Sequence, residues 1–154
     1  MTIYLDANFL VRMYLELPGC EEAVELVKSR RSRRSWPFPI TRLIKMEVVN
    51  ALNRLVFESR TGGQWRVTPE SATMAIGDFQ QDLIDGLFLA RSPLALEDIE
   101  PEFDDLAARY TERYGFRTYD VIHVASARTM GSKRFLTFDA KAKKLAKLAG
   151  LQTE

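Results

Sequence analysis

One cysteine, one histidine and no long hydrophobic run set the first limits on this 154-residue chain. A single Cys20 excludes an internal disulfide and suits a reducing compartment, so a cytoplasmic location is expected. Cys20 also has no histidine nearby in sequence and no nucleophile motif around it, so it is given no chemistry. His123 alone excludes, within one chain, a ribonuclease that needs two histidines as acid and base. No apolar run reaches the length of a bilayer, and the N-terminus has no signal-peptide pattern; no membrane is expected as a partner. Charge of one sign is also missing, because the formal net charge is only +1.

The balance is uneven along the chain. Residues 1–60 carry 10 basic and 7 acidic side chains, residues 61–115 carry 4 and 11, and residues 116–154 carry 8 and 3. An acidic middle between basic ends is not a general nucleic-acid footprint. The hydrophobic fraction of 46% is that of an ordinary globular protein, and the length suits one domain over 1–154 with a real core. No internal repeat or long linker divides it.

Strand-like and helix-like segments alternate. Strands are expected at Thr2–Asp6, Trp36–Ile40, Ser92–Leu96, Arg134–Phe138 and Leu151–Thr153. Helices are expected from Asn8 to Pro18-Gly19, over Glu21–Ser29, from Thr41 to Arg60, from Thr68-Pro69 to Gly86, from Pro101 to Gly115, over Tyr119–Met130 and over Ala140–Ala149. Arg30–Ser35 reads as a basic loop. The alternation predicts an α/β fold with a mainly parallel sheet, in which sites form at the carboxyl ends of strands.

Four acids stand in apolar or helix-starting contexts: Asp6, Glu47, Asp120 and Asp139. Carboxylates among apolar neighbours need compensation. Several converging ones repel and call for a cation, and oxygen-only ligands suit Mg²⁺ or Mn²⁺. Each acid also has a plainer explanation. Asp6 and Asp139 can cap the helices that follow them, and Asp120 complements a helix dipole. Glu47 can join Asn50 or Arg54 in a polar stripe. His123, three residues after Asp120, reads first as a hydrogen-bonded structural residue, with a supporting contact as the alternative.

The segments Tyr4-Leu5-Asp6-Ala7-Asn8-Phe9-Leu10, Glu47-Val48-Val49-Asn50-Ala51-Leu52, Tyr119-Asp120-Val121-Ile122-His123-Val124-Ala125-Ser126-Ala127 and Phe135-Leu136-Thr137-Phe138-Asp139 together resemble the PIN-domain family, in particular VapC-type toxins of bacterial toxin–antitoxin pairs. That resemblance implies a three-layer α/β/α sandwich and a Mg²⁺- or Mn²⁺-dependent endoribonuclease. It implies Asp6, Glu47 and Asp120 as the core acids, Asp139 as a more variable fourth, and Asn8 and Thr137 as supporting polar positions. A small antitoxin protein and a homodimer are the implied partners, with RNA as substrate.

The basic clusters Arg30, Arg31, Arg33, Arg34 and Lys141, Lys143, Lys144, Lys147 are candidate RNA contacts or solvated surface. The arginine cluster, Trp36-Pro37-Phe38-Pro39 and the Gly62–Trp65 turn lie outside the family pattern. An apolar groove involving Leu52, Val56, Phe79 and Leu83 is expected for the partner, with an ordinary internal core as its rival. Two other classes stay open. One is a non-catalytic binding subunit. The other is a haloacid-dehalogenase-type phosphatase, which needs a second aspartate two residues after its nucleophile; Asn8 stands at that position.

Overall fold

The computed structural model describes residues 1–154 and has mixed α/β structure, mainly helical, with every strand pair parallel. It divides into two compact units. The first joins Met1–Asp6 to Pro93–Glu154; the second is Ala7–Ser92. No helix is long and apolar enough to cross a membrane.

The first unit is built on β1 (Ile3–Leu5), which pairs in parallel with β4 (Arg134–Leu136), Tyr4 lying opposite Phe135. Gln152 extends the pair on the far side of β4 by a bridge to Arg134. All six strand residues are buried, because unbroken apolar strands need cover on both faces. Tyr4 and Phe135 stack nearly parallel at 5.2 Å between ring centroids. Cover comes from α8 (Thr118–Thr129), which packs against α6 (Leu96–Leu106) and α9 (Ala140–Leu148); α9 also touches β4. Between α6 and the short α7 (Glu112–Tyr114) the helix widens into a π segment at Ala107–Thr111.

Pro101 signals a helix start in the sequence, but α6 begins earlier, at Leu96. Asp98 makes the earlier start possible, accepting the Ala95 N–H at 2.8 Å and so capping the first turn.

In the second unit α1 (Ala7–Leu15), α4 (Arg42–Arg60) and α5 (Pro69–Asp85) pack on one another, and β2 (Phe38–Ile40) pairs with β3 (Leu89–Arg91). The Thr41 hydroxyl accepts the Ile44 N–H, and Ile44, Val48 and Leu52 then follow at four-residue spacing into the core. Thr68 and Ser71 cap α5 reciprocally, and Gly86 at φ 67° closes it in the left-handed region that glycine tolerates.

Two expectations fail here. The strand placed at Ser92–Leu96 lies three residues earlier, where Leu89 is buried and its neighbours can pair with β2; beyond it only the Ser92 N–H still reaches the Ile40 carbonyl. The basic loop at Arg30–Ser35 is partly helical. After α2 (Glu21–Lys28), the turn α3 (Arg30–Arg33) forms because Ser29 caps it and the buried Ser32 hydroxyl donates to the Leu26 carbonyl. The expected groove at Leu52, Val56, Phe79 and Leu83 is largely interior. Leu52, Phe79 and Leu83 are buried and Val56 is half-buried, as an α4–α5 pair requires.

Candidate active site

The parallel pairing of β1 and β4 puts the residues that follow them, Asp6 and Thr137, side by side at the carboxyl end of the sheet. The Asp6 N–H donates to the Leu136 carbonyl, extending the ladder by one bond. Both side chains are buried, Asp6 at 6% exposure and Thr137 at 5%. The Thr137 hydroxyl donates to Asp6 Oδ2 at 2.8 Å and accepts the Asp139 N–H at 3.0 Å. One hydroxyl therefore fixes a carboxylate on one strand and the start of α9 on the other. Because its lone pair is engaged by an N–H, its proton is directed to Asp6.

Asp139, half-buried, accepts the Ala142 N–H through Oδ1 at 2.9 Å and is the N-cap of α9. The capping explanation for this residue is thus correct, and it leaves Oδ2 available to another role.

From α8, His123 reaches this end of the sheet. Its ring is buried, with Nε2 3.9 Å from Asp6 Oδ1, too far for a hydrogen bond but close enough for both groups to contact one ion. Nδ1 lies 2.8 Å from the Tyr4 hydroxyl. This hydrogen bond fixes the plane of the ring, and its direction follows from the tautomer. Asp120 sits one turn earlier on the same helical face, about 5–6 Å from His123 at Cβ by helix geometry. It is half-buried rather than enclosed, and its Oδ2 accepts the Arg117 N–H at 3.1 Å.

The remaining residues singled out in the sequence belong to the second unit or lie on the surface. Glu47 is half-buried on α4. Its expected stripe with Arg54 does not form, since the Arg54 guanidinium lies four residues from Glu58 and pairs with it at 2.9 Å. Asn8 is half-buried in the first turn of α1. Arg30, Arg31, Arg33 and Arg34 are all exposed on or beside α3. Lys141 and Lys144 are both exposed, and the Lys144 ammonium sits 4.3 Å from the Tyr114 ring centroid of α7.

Tyr4 is a polar participant that the sequence does not single out. Its hydroxyl in a three-residue apolar strand is the available signal, because a fully buried tyrosine needs a partner for its O–H.

Asp6, Thr137 and Asp139 are thus joined by hydrogen bonds at the carboxyl end of the strand pair, the His123 ring lies beside Asp6, and Asp120 stands one turn from His123 on α8. Such a donor set, mostly hard oxygen, fits a divalent cation such as Mg²⁺ or Mn²⁺. The fixed Asp6 carboxylate is the best-positioned donor, since its orientation is set by Thr137 before any ion arrives.

No curated protein matches the chain. The family profile described as the PIN domain, generally a metal-dependent nuclease fold, matches residues 3–148, and the chain belongs to the PIN-domain family.

Proposed function

We propose that this protein is a Mg²⁺- or Mn²⁺-dependent endoribonuclease of the VapC type, acting as the toxin of a toxin–antitoxin pair. The observation that supports the reading best is the bonded line Asp6–Thr137–Asp139 at the carboxyl end of β1 and β4, in a chain of a nuclease family. A divalent ion bound there would supply an activated water and neutralise charge on the scissile phosphate and leaving oxygen.

The chain's own groups prepare that chemistry. Thr137 holds one Asp6 oxygen, and the other lies 3.9 Å from His123 Nε2. Asp139 spends one oxygen on its helix and offers the second. Asp120 is held at the first turn of α8 by the Arg117 N–H. His123 is kept in orientation by its hydrogen bond with Tyr4. Glu47 keeps the metal-ligand role implied by the resemblance, and Glu47→Gln tests it separately. A homodimer and a small antitoxin partner belong to the same proposal.

The test is cleavage of a mixed RNA pool with Mg²⁺, with Mn²⁺ and with EDTA, beside melting curves under the same conditions. The reading requires metal-dependent cleavage, a rise in Tm with Mn²⁺, and loss of both in Asp6→Asn. EDTA-resistant cleavage with no Mn²⁺ shift would refute it. Metal binding without cleavage would favour the non-catalytic subunit, and a covalent phosphoenzyme on Asp6 would favour the phosphatase.

A further inference from the structure

The second unit holds a cavity of about 440 Å³, within the usual range for small-ligand sites. Its lining combines aromatic, basic and acidic side chains. Trp36 and Phe88 form an aromatic wall, edge to face at 5.0 Å. Lys28 and Arg33, both exposed, bring positive charge, and the Arg33 guanidinium lies 5.7 Å from the Trp36 ring centroid. Asp78 and Asp82, one turn apart on α5, bring two carboxylates, and Glu16 just after α1 brings a third. The Tyr14 hydroxyl donates to Asp82 Oδ2 at 2.5 Å, which commits one oxygen and leaves Oδ1 to accept from a ligand. Burial and the two nearby aspartates push the Tyr14 pKa upward, so this O–H stays protonated at neutral pH.

A purely apolar ligand would strand the carboxylates, and a simple cation would meet Lys28 and Arg33. A flat ring with donors on one edge and an anion on the other can meet the aromatic, acidic and basic groups together. We infer that this cavity takes one guanine nucleotide of a single-stranded RNA, stacked on the Trp36–Phe88 wall, with its base edge toward Asp78 and Asp82 and its phosphate toward Lys28 and Arg33.

Ionised carboxylates only accept. Guanine alone presents two adjacent donors, N1–H and the N2 amino group, on one edge. Adenine and cytosine place a ring acceptor beside their amino group, and uracil flanks one N–H with two carbonyl oxygens. Aromatic stacking adds affinity that is shared by every base, so the carboxylates carry the preference. Arg33 and Trp36, which lie outside the family pattern, have a use in this site. The assignment rests on RNA being the substrate.

Binding in EDTA separates the cavity from cleavage. Labelled hexaribonucleotides of uridine carrying one central G, inosine, A or C are titrated by anisotropy onto the full chain, together with 5′-GMP and N-acetylarginine amide as competitors. The G oligomer is expected to bind about tenfold tighter than the others, inosine to fall between them, and GMP to compete. Asp78→Asn, an exposed position on α5, is expected to erase most of the preference, while Arg33→Ser weakens all oligomers alike. Equal affinity for all four, or a preference that Asp78→Asn leaves intact, would overturn the inference. Competition by N-acetylarginine amide but not by GMP would also overturn it and assign the cavity to the arginine of a protein partner. A chain that binds the G oligomer selectively yet never cleaves RNA would keep this site and refute the nuclease reading.

Discussion

Thr137 offers the sharpest test of how the site is held together. Its hydroxyl makes two hydrogen bonds, a buried one to the Asp6 carboxylate and a half-buried one from the Asp139 N–H. Thr137→Val keeps the shape and removes both. A bond to a charged group contributes about 1.5–3 kcal/mol and a neutral one about 1 kcal/mol. The extra apolar methyl gives part of this back, leaving a loss of about 2–3 kcal/mol. For a chain of this size each kcal/mol moves Tm by about 2–4 °C, so a drop of about 4–12 °C is expected. Thr137→Ser retains the hydroxyl and should lose much less.

The same substitutions made on Asp6→Asn isolate the charged bond. There the Val variant should cost about 1 kcal/mol less, because its partner is already neutral. Melting and urea unfolding are measured in EDTA, so that no metal contributes. If Thr137→Val melts within about 1 °C of the unmodified protein, or Thr137→Ser is as damaging as Val, the hydroxyl is not the link described here.

Among the acids, Asp6→Asn and Asp120→Asn should each reduce cleavage by at least about a hundredfold while leaving the metal-free protein as stable or more stable, since carboxylate repulsion is relieved; wild-type turnover in Asp120→Asn would remove it from the site. Asp139→Asn should retain more activity in the same assay, because asparagine can still cap α9 through the Ala142 N–H. Tyr14 ionises less readily when folded, so its contribution to stability is intact below the unfolded pKa near 10 and lost as pH rises above it. Tyr14→Phe should therefore flatten the alkaline fall in unfolding free energy, measured by urea titrations between about pH 9 and 11. Burial pushes the Cys20 thiol pKa up as well, so iodoacetamide at about pH 8 should label it far more slowly in the native chain than in urea. Replacing Arg30, Arg31, Arg33 and Arg34 with serine should flatten the salt dependence of RNA binding, by about 0.7 in slope for each phosphate no longer neutralised, with turnover of bound RNA largely unchanged.

The elements most legible in the sequence are those with local punctuation. Thr41, the Thr68-Pro69 pair, Gly86 and Gly150 mark helix ends through capping and turn chemistry that depends on neighbours only. Strands are harder. Leu89–Arg91 pairs with Phe38–Ile40 from far along the chain, and nothing local distinguishes it from Ser92–Leu96. Pro101 misleads because proline more often starts a helix than sits inside one, and here the cap supplied by Asp98 decides the start.

In the site, the apolar run before Asp6 shows the strand end, and the spacing of Asp120 and His123 shows their shared helical face. The Thr137 bridge cannot be read beforehand, since it exists only when β1 and β4 lie in register. The Tyr14–Asp82 contact joins residues 68 positions apart and belongs to the same class of invisible features.

The pairing of β1 with β4 also has a consequence for the order of events during synthesis. Asp6 and the threonine that orients it are separated by 131 residues. At about 5–20 residues per second, the ribosome needs roughly 7–26 s to make that stretch. For about the last third of this interval Ala7–Ser92 has been made in full and can fold by its own contacts, whereas Ile3–Leu5 still has no partner strand. A nascent chain therefore carries its first acid unorganised until β4 has left the exit tunnel. Any chain interrupted before Leu136 would lack the Asp6–Thr137 link altogether, so on the proposed reading as a ribonuclease the site would be armed only once β4 has been made.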